Sequence, residues 1–203
     1  MKIAVIGFGS LINDHRDLKV EKSEHPIEIP QNVSINENSP FLPAVGLTLP
    51  IRLARFSGQG TDNRRITMTL YPGASLEPAY FSKHLSGNLN VAIKNLRERE
   101  GIPDTIEGVK KIAFVNLKNG TSRSSGQDIT DRIGEWAKNN GFDAAIWTDL
   151  SPNISFAADS TGREIISLLN KDNILLKNTQ KYIKLLPNPR NPMQNDIMAM
   201  SKK

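Results

Sequence analysis

The chain contains no cysteine and only three histidines (His15, His25 and His84) among its 203 residues. The first absence excludes disulfides, Cys-ligated zinc, iron–sulfur centres and a thiol nucleophile. The second leaves little from which to build a His-rich metal site or a His-dependent catalytic triad. Aromatic residues make up only 6% and do not interleave with the basic ones in any recognisable motif, which argues against a nucleic-acid partner. No stretch approaches the roughly 20 apolar residues that span a bilayer. The apolar run from Ile3 to Ile6 is too short for a signal-peptide core, and no small-residue cleavage site follows it. These absences predict a soluble cytoplasmic protein with no membrane partner. What remains for chemistry is carboxylates, hydroxyls, backbone amides and cationic side chains.

What is present is enough for a buried core. Apolar residues make up 38% and charged residues 23%, and the length fits one domain. The net charge of +5 is uneven: residues 51–100 carry eight Lys/Arg against four Asp/Glu, residues 151–203 repeat that balance, and the first fifty residues sum to −2. Most of these charges read as solvated surface, and a mild basic bias suits a small anionic ligand as readily as a polyanion.

Periodicity divides the chain into strands and helices. Lys2–Ile6, Leu47–Phe56, Ile66–Tyr71, Val109–Leu117 and Ala144–Thr148 read as strands, being β-branched, alternating or bounded by turn residues. Apolar spacings of three and four predict helices over Asn88–Glu100, Asp128–Asn140, Thr161–Asn170 and Asn178–Leu186. Residues 13–43 read as a long loop carrying short edge strands at Ile27–Ile29 and Val33–Ile35, and the signal over Leu76–Gly87 is weak, with Ala79–Phe81 its best strand candidate. The mixture lacks steady βαβ alternation. It predicts an α+β fold, a curved mixed sheet or small β-barrel flanked by helices, over residues 1–186, with a flexible tail at 187–203.

A strand running into Gly7-Phe8-Gly9-Ser10 invites two readings. One is a dinucleotide-binding turn for an NAD(P)-type ligand. That fingerprint requires a third Gly or Ala where Ile12 stands and a long helix immediately after, and Asn13–Val20 offers no apolar stripe for one. The other rests on resemblance. Gly7-Phe8-Gly9-Ser10-Leu11 resembles the Gly-Tyr-Gly-Ser-Leu signature that opens γ-glutamylcyclotransferase-like proteins. Arg55-Phe56-Ser57-Gly58-Gln59-Gly60-Thr61-Asp62, with Ile66–Leu70 behind it, is similar to the second motif of the glutathione-specific (ChaC-type) branch. Leu96-Arg97-Glu98-Arg99-Glu100, followed by the apolar stretch Val109–Val115, is similar to that branch's catalytic helix and following strand. The three motifs come in the family's order and cover residues 1–115 discontinuously.

The resemblance implies a lyase- or transferase-type cyclisation of a γ-glutamyl amide, such as glutathione or a γ-glutamyl amine or peptide, to 5-oxoproline without any cofactor or metal. It implies Glu100 as the general acid/base, a substrate cradle of Gly7, Phe8, Gly9, Ser10 and Leu11, and positioning roles for Arg55 and Asp62. Glu98 competes with Glu100 for the catalytic role. The family's Tyr is Phe8 here, which removes a hydroxyl. A non-catalytic binding module on the same scaffold stays open as the alternative. Glu98 and Glu100 also read as solvated acids near a helix C-terminus, offset by Arg97 and Arg99 on the surface. Gly7 and Gly9 also read as turn formers, and Arg64-Arg65 as a surface pair. In the C-terminal half, Trp147–Asn153 reads first as a core tryptophan followed by a capped turn, and second as a ligand-closing loop using Thr148, Asp149 and Asn153. The leaving group and the oligomeric state are left open.

Overall fold

The computed structural model describes residues 1–21, 38–58, 60–154, 163–187 and 190–201. The edge strands expected at 27–29 and 33–35 lie outside the described residues.

The centre of the fold is the first strand, β1 (Ile3–Gly7), with all five residues buried. It pairs in parallel with β8 (Ala144–Thr148) and antiparallel with β5 (Leu76–His84). With both faces covered, its run is continuously apolar rather than alternating. Ile3 and Val5 pack on one side with Ala92 and Leu96 of α1 (Leu89–Arg99). Ala4 and Ile6 pack on the other with Ile133, Trp136 and Ala137 of α3 (Gln127–Asn139).

The remaining strands are β2 (Val20–Glu21), β3 (Leu42–Ser57), β4 (Arg65–Leu70), β6 (Ile112–Asn116) and β7 (Thr121–Arg123). The sheet runs β4-β3-β5-β1-β8-β6-β7, with β2 added beside β5. The class is therefore α+β with an eight-stranded mixed sheet flanked by helices. Among the described residues β4 and β7 are not paired, so the sheet stays open and the barrel form of the expectation is not made.

β5 was nearly illegible for a physical reason. Its middle, Ala79–Ser82, is buried on both faces, and Pro78 interrupts the alternation that marks a half-buried strand. β3 begins five residues before its expected start and spans 16 residues. It breaks register between Pro43 and Thr48, and again between Leu53 and Arg55. At the second irregularity the Ala54 carbonyl is free to accept from the N–H groups of Asn153 and Ile154 (both 3.2 Å).

The strand expected from Val109 starts later. Thr105 caps a short helix, α2 (Ile106–Lys110), by accepting from Gly108 N at 3.0 Å, and β6 follows. The C-terminal helices α4 (Arg163–Lys171), α5 (Asn173–Ile183) and α6 (Pro192–Ala199) build a third cluster with Leu53 and Ile66 of the strands. α5 starts earlier than its periodicity suggests because Asp172 caps it, accepting from Leu175 N at 2.9 Å. The expected tail is in part a helix. Asn191 and Gln194 form a reciprocal capping box around Pro192, and Ile197 of α6 is fully buried.

Candidate active site

A cavity of about 180 Å³ opens where the end of β1, the turn after it, β3, β4, the end of α1 and α5 meet. It is smaller than the ~300–1,000 Å³ typical of drug-sized ligands, which suits a small polar group. The turn is a single 3₁₀ turn, Gly9–Ile12. The dinucleotide reading needs a long α-helix at that place, and four residues of 3₁₀ turn stand there instead.

The turn contributes Phe8, Ser10 and Leu11 to the cavity. Gly7 and Gly9 do not line it, and each is required for a close approach. A Cβ on Gly7 would lie 2.6 Å from the Phe41 ring. Gly9 has φ +68°, and a Cβ there would lie 2.5 Å from the Tyr182 hydroxyl oxygen.

Glu100 ends α1 as its C-cap residue and faces the cavity. Its side chain is 21% exposed, and burial pushes its carboxyl above the usual range. The Arg99 guanidinium, 3.7 Å away, partly opposes that shift, and the charge on Asp14 adds to it. Asp14, also on the wall, is held below the usual range, first by hydrogen bonds from Arg16 (2.7 and 3.0 Å) and then by the charges around it. Two carboxyls in one cavity are thus driven apart, one toward keeping its proton and one toward losing it. Arg99 joins them, donating to the Asp14 carbonyl and standing 3.8 Å from its carboxylate.

Glu98 points elsewhere. It is 54% exposed and lies beside Lys94 (3.8 Å) and Arg97 (4.0 Å). The surface role expected for the two arginines is not what the fold uses. Arg97 is buried and ion-pairs with Asp104 at 2.7 Å, while Arg99 is turned into the cavity.

The opposite wall follows from strand alternation. In the β3–β4 pair, Arg55 stands across from Thr67 and Ser57 across from Arg65, so these four share a face. All four line the cavity, joined by Thr69. Arg55 donates to the Ser151 carbonyl at 2.5 Å. The hydroxyls of Thr67 and Thr69 give their protons to the carbonyls of Arg55 and Leu150. Arg65 forms no ion pair among the described residues. Arg64, its neighbour, is exposed and lies over the Phe56 ring at 3.9 Å. The Arg64-Arg65 pair therefore splits into one surface residue and one cavity residue.

Tyr182 of α5 closes the floor. It is 4% exposed, its hydroxyl accepts from Met68 N–H (3.0 Å), and the same oxygen stands against Gly9 of the turn. Burial pushes it up to about 12, so it stays neutral. Its oxygen therefore ties strand β4 to the turn, and its own proton remains available to an acceptor.

Asp62 does not reach the cavity. It is exposed, and its carbonyl accepts from Asn178 Nδ2 at 2.7 Å. In the Trp147–Asn153 segment, Trp147 is fully buried core. Asp149 accepts from Ser125 N (2.6 Å) and Ser125 Oγ (2.7 Å). Asn153 is stapled to Phe56 by its amide, through bonds of 2.6 and 3.2 Å. Only Thr148 and Leu150 of that segment line the cavity. Its work is to brace the β3 wall.

Sequence reasoning missed Asp14, Arg65, Thr67, Thr69, Arg99 and Tyr182 as wall residues. The alternation of Arg65, Thr67 and Thr69 was a readable signal. Tyr182, more than 110 residues from Met68 in the chain, carried none.

Among the described residues no group of three or more His, Cys, Asp or Glu is arranged to hold a metal ion, and no helix is long and apolar enough to cross a membrane. No protein-family model, curated protein or solved structure matches this chain.

Proposed function

We propose that the protein is a γ-glutamylcyclotransferase-like enzyme that cyclises a γ-glutamyl amide to 5-oxoproline and releases the amine. The observation that carries this reading is the convergence of Glu100 and the Phe8–Leu11 turn, from separate parts of the sequence, on one small charged cavity.

In this reading the substrate's α-amino nitrogen forms a bond to its own γ-carbonyl carbon. Glu100 takes the proton that the nitrogen loses. The carbonyl oxygen carries negative charge while the carbon is tetrahedral, and donors fixed around it lower that barrier. Glu100 then delivers the proton to the amide nitrogen as the carbon–nitrogen bond breaks, and the neutral amine departs. A carboxyl whose hold on a proton is raised by burial is a stronger base toward the nitrogen than an ordinary carboxylate. Arg55 and Arg65 supply positive charge for the substrate carboxylate, and Asp14, held ionised, supplies negative charge beside the α-nitrogen, whose ammonium form gives one proton to solvent before the neutral amine attacks.

The test is incubation with glutathione and γ-glutamyl dipeptides, with 5-oxoproline as the readout. Product from at least one substrate, lost in Glu100→Gln, is the expected result. No product from any of them, or full activity in Glu100→Gln, overturns the reading. The second reading, a non-catalytic binding module for a small anion, is favoured by Arg65, which has no ion-pair partner among the described residues. It predicts binding of γ-glutamyl compounds without turnover.

A further inference from the structure

A second cavity, of about 250 Å³, backs onto the first. Phe8 and Met68 line both, so two apolar side chains stand between them. The turn itself divides: Ser10 faces the first cavity and Gly9 the second. The two differ sharply in chemistry. The first is walled by Asp14, Arg55, Arg65, Arg99 and Glu100. The second is walled mainly by hydrocarbon, from Ile12, Ile51, Tyr80, Leu186 and Pro187.

The second cavity's charged residues are already engaged. Glu77 accepts from Asn191 Nδ2 at 3.2 Å, and Arg190 Nε donates to the Ile183 carbonyl at 3.5 Å. Tyr80 is pushed up to about 12 by burial and by Glu77, so it presents a neutral ring. The partition is suited to yielding. Phe8 has no hydroxyl to anchor it, and Met68 is unbranched, with three rotatable bonds. Among the described residues, the one polar contact on the Met68 side chain is Gln194 Nε2, 3.7 Å from its sulfur.

From this we infer that the second cavity is the subsite for the leaving half of the substrate, and that this half is an apolar amine with a branched aliphatic or aromatic body. The inference rests on the cyclotransferase reading above. The γ-glutamyl end carries a carboxylate and an ammonium, and it belongs among the charges of the first cavity. A hydrocarbon group placed there would strip water from five ionisable side chains, whereas beside Ile51 and Leu186 it displaces water from apolar surface. The amide bond then lies at the Phe8–Met68 partition, with the hydrocarbon on the far side.

The test compares γ-glutamyl ethylamide, isoamylamide and phenethylamide as substrates, with 5-oxoproline as the readout. Wild-type protein is expected to favour the two larger amides at least tenfold in kcat/KM, since a single methylene in an apolar pocket is worth roughly tenfold or more. Two variants fill the second cavity: Leu186→Trp from inside and Pro78→Trp from the exposed rim, where the fold has room for it. Each is expected to cut that preference at least fivefold. Turnover without a size preference overturns the inference alone, as does a preference that survives in a folded Pro78→Trp protein. Absence of 5-oxoproline from all three amides and from glutathione removes the cyclotransferase reading and the inference with it.

Discussion

The two walls of the charged cavity are built on opposite plans. On the wall from the end of α1, the charges are tied to one another: Asp14 to Arg16, and Arg99 to Asp14 and Glu100. On the β3–β4 wall, guanidinium groups stand among hydroxyls, and Arg65 has no ion-pair partner among the described residues. The first plan holds a buried carboxyl in a state where it exchanges a proton. The second keeps positive charge on offer to an incoming anion. Under the cyclotransferase proposal, proton transfer and the grip on the substrate carboxylate reside on different elements and can be separated by substitution.

The sharpest separation comes from Glu100→Gln. Loss of a general acid/base is expected to lower kcat about 10²–10⁴-fold. Glu98→Gln, two residues away on the exposed face, is expected to stay within threefold of wild type in the same 5-oxoproline assay.

Gly9→Ala attacks the junction of the two walls. Left-handed backbone costs a residue with a Cβ about 1–2 kcal/mol, and the overlap with Tyr182 adds about 1–3 kcal/mol. Urea denaturation should therefore show a loss of roughly 2–5 kcal/mol. Gly60→Ala is the control for conformation alone, since it also has positive φ (69°) but nothing within 4 Å of its Cβ.

Tyr182→Phe removes the oxygen that stands between β4 and the turn and leaves Met68 N–H without its acceptor. The expected cost is about 1–3 kcal/mol in the same denaturation measurement. A loss below ~0.5 kcal/mol would show that the hydroxyl bridge carries little of the junction.

Arg65→Ala should raise KM about tenfold with kcat nearly unchanged, the value of one charge-assisted contact to a substrate carboxylate. Arg64→Ala should move KM less than twofold. A fall in kcat instead would mean that the β3–β4 wall takes part in the chemical step.

The smallest effect is on stability against pH. The folded-state pKa of Glu100 lies above its ordinary value of 4.5, so the fold binds the protonated form better. That contribution is fully present below about pH 4.5 and is lost as pH rises through the raised value. Glu100→Gln should thus melt higher than wild type at pH 8, by about 2–4 °C for each kcal/mol relieved, with the gap closing toward pH 4. A gap independent of pH would assign the difference to packing.

Much of this architecture was legible because it is local. β1 is apolar and β-branched, α1 and α3 show three-and-four spacing, and the Gly-x-Gly after β1 marks a turn. The convergence of Glu100 with the Phe8–Leu11 turn was legible only through ordered motifs. What stayed hidden is what long-range packing decides. β5 shows no alternation because its middle is covered on both sides. The break in β3 at Ala54 answers to Asn153 and Ile154, about a hundred residues away in the chain. Asp62 belongs to a matching motif, but its side chain is left in solvent by the turn before β4. Tyr182 sits among the apolar residues of an ordinary amphipathic helix, and only the fold reveals that its hydroxyl meets the Met68 N–H and the Gly9 turn.

The strand at the centre of the sheet has a consequence for how the molecule is made. β1 leaves the ribosome before either of its neighbours, Tyr80–Lys83 on one edge and Ala144–Ile146 on the other. A chain-closing cost must be met before either pairing forms, and such distant pairings are slow. The Met68 amide then waits for a hydroxyl at residue 182. The nascent chain therefore carries an apolar strand with both edges unpaired until β5 is made and one edge unpaired until β8 is made, a period in which it is open to aggregation and to chaperone capture. The charged cavity is complete only once Tyr182 has emerged.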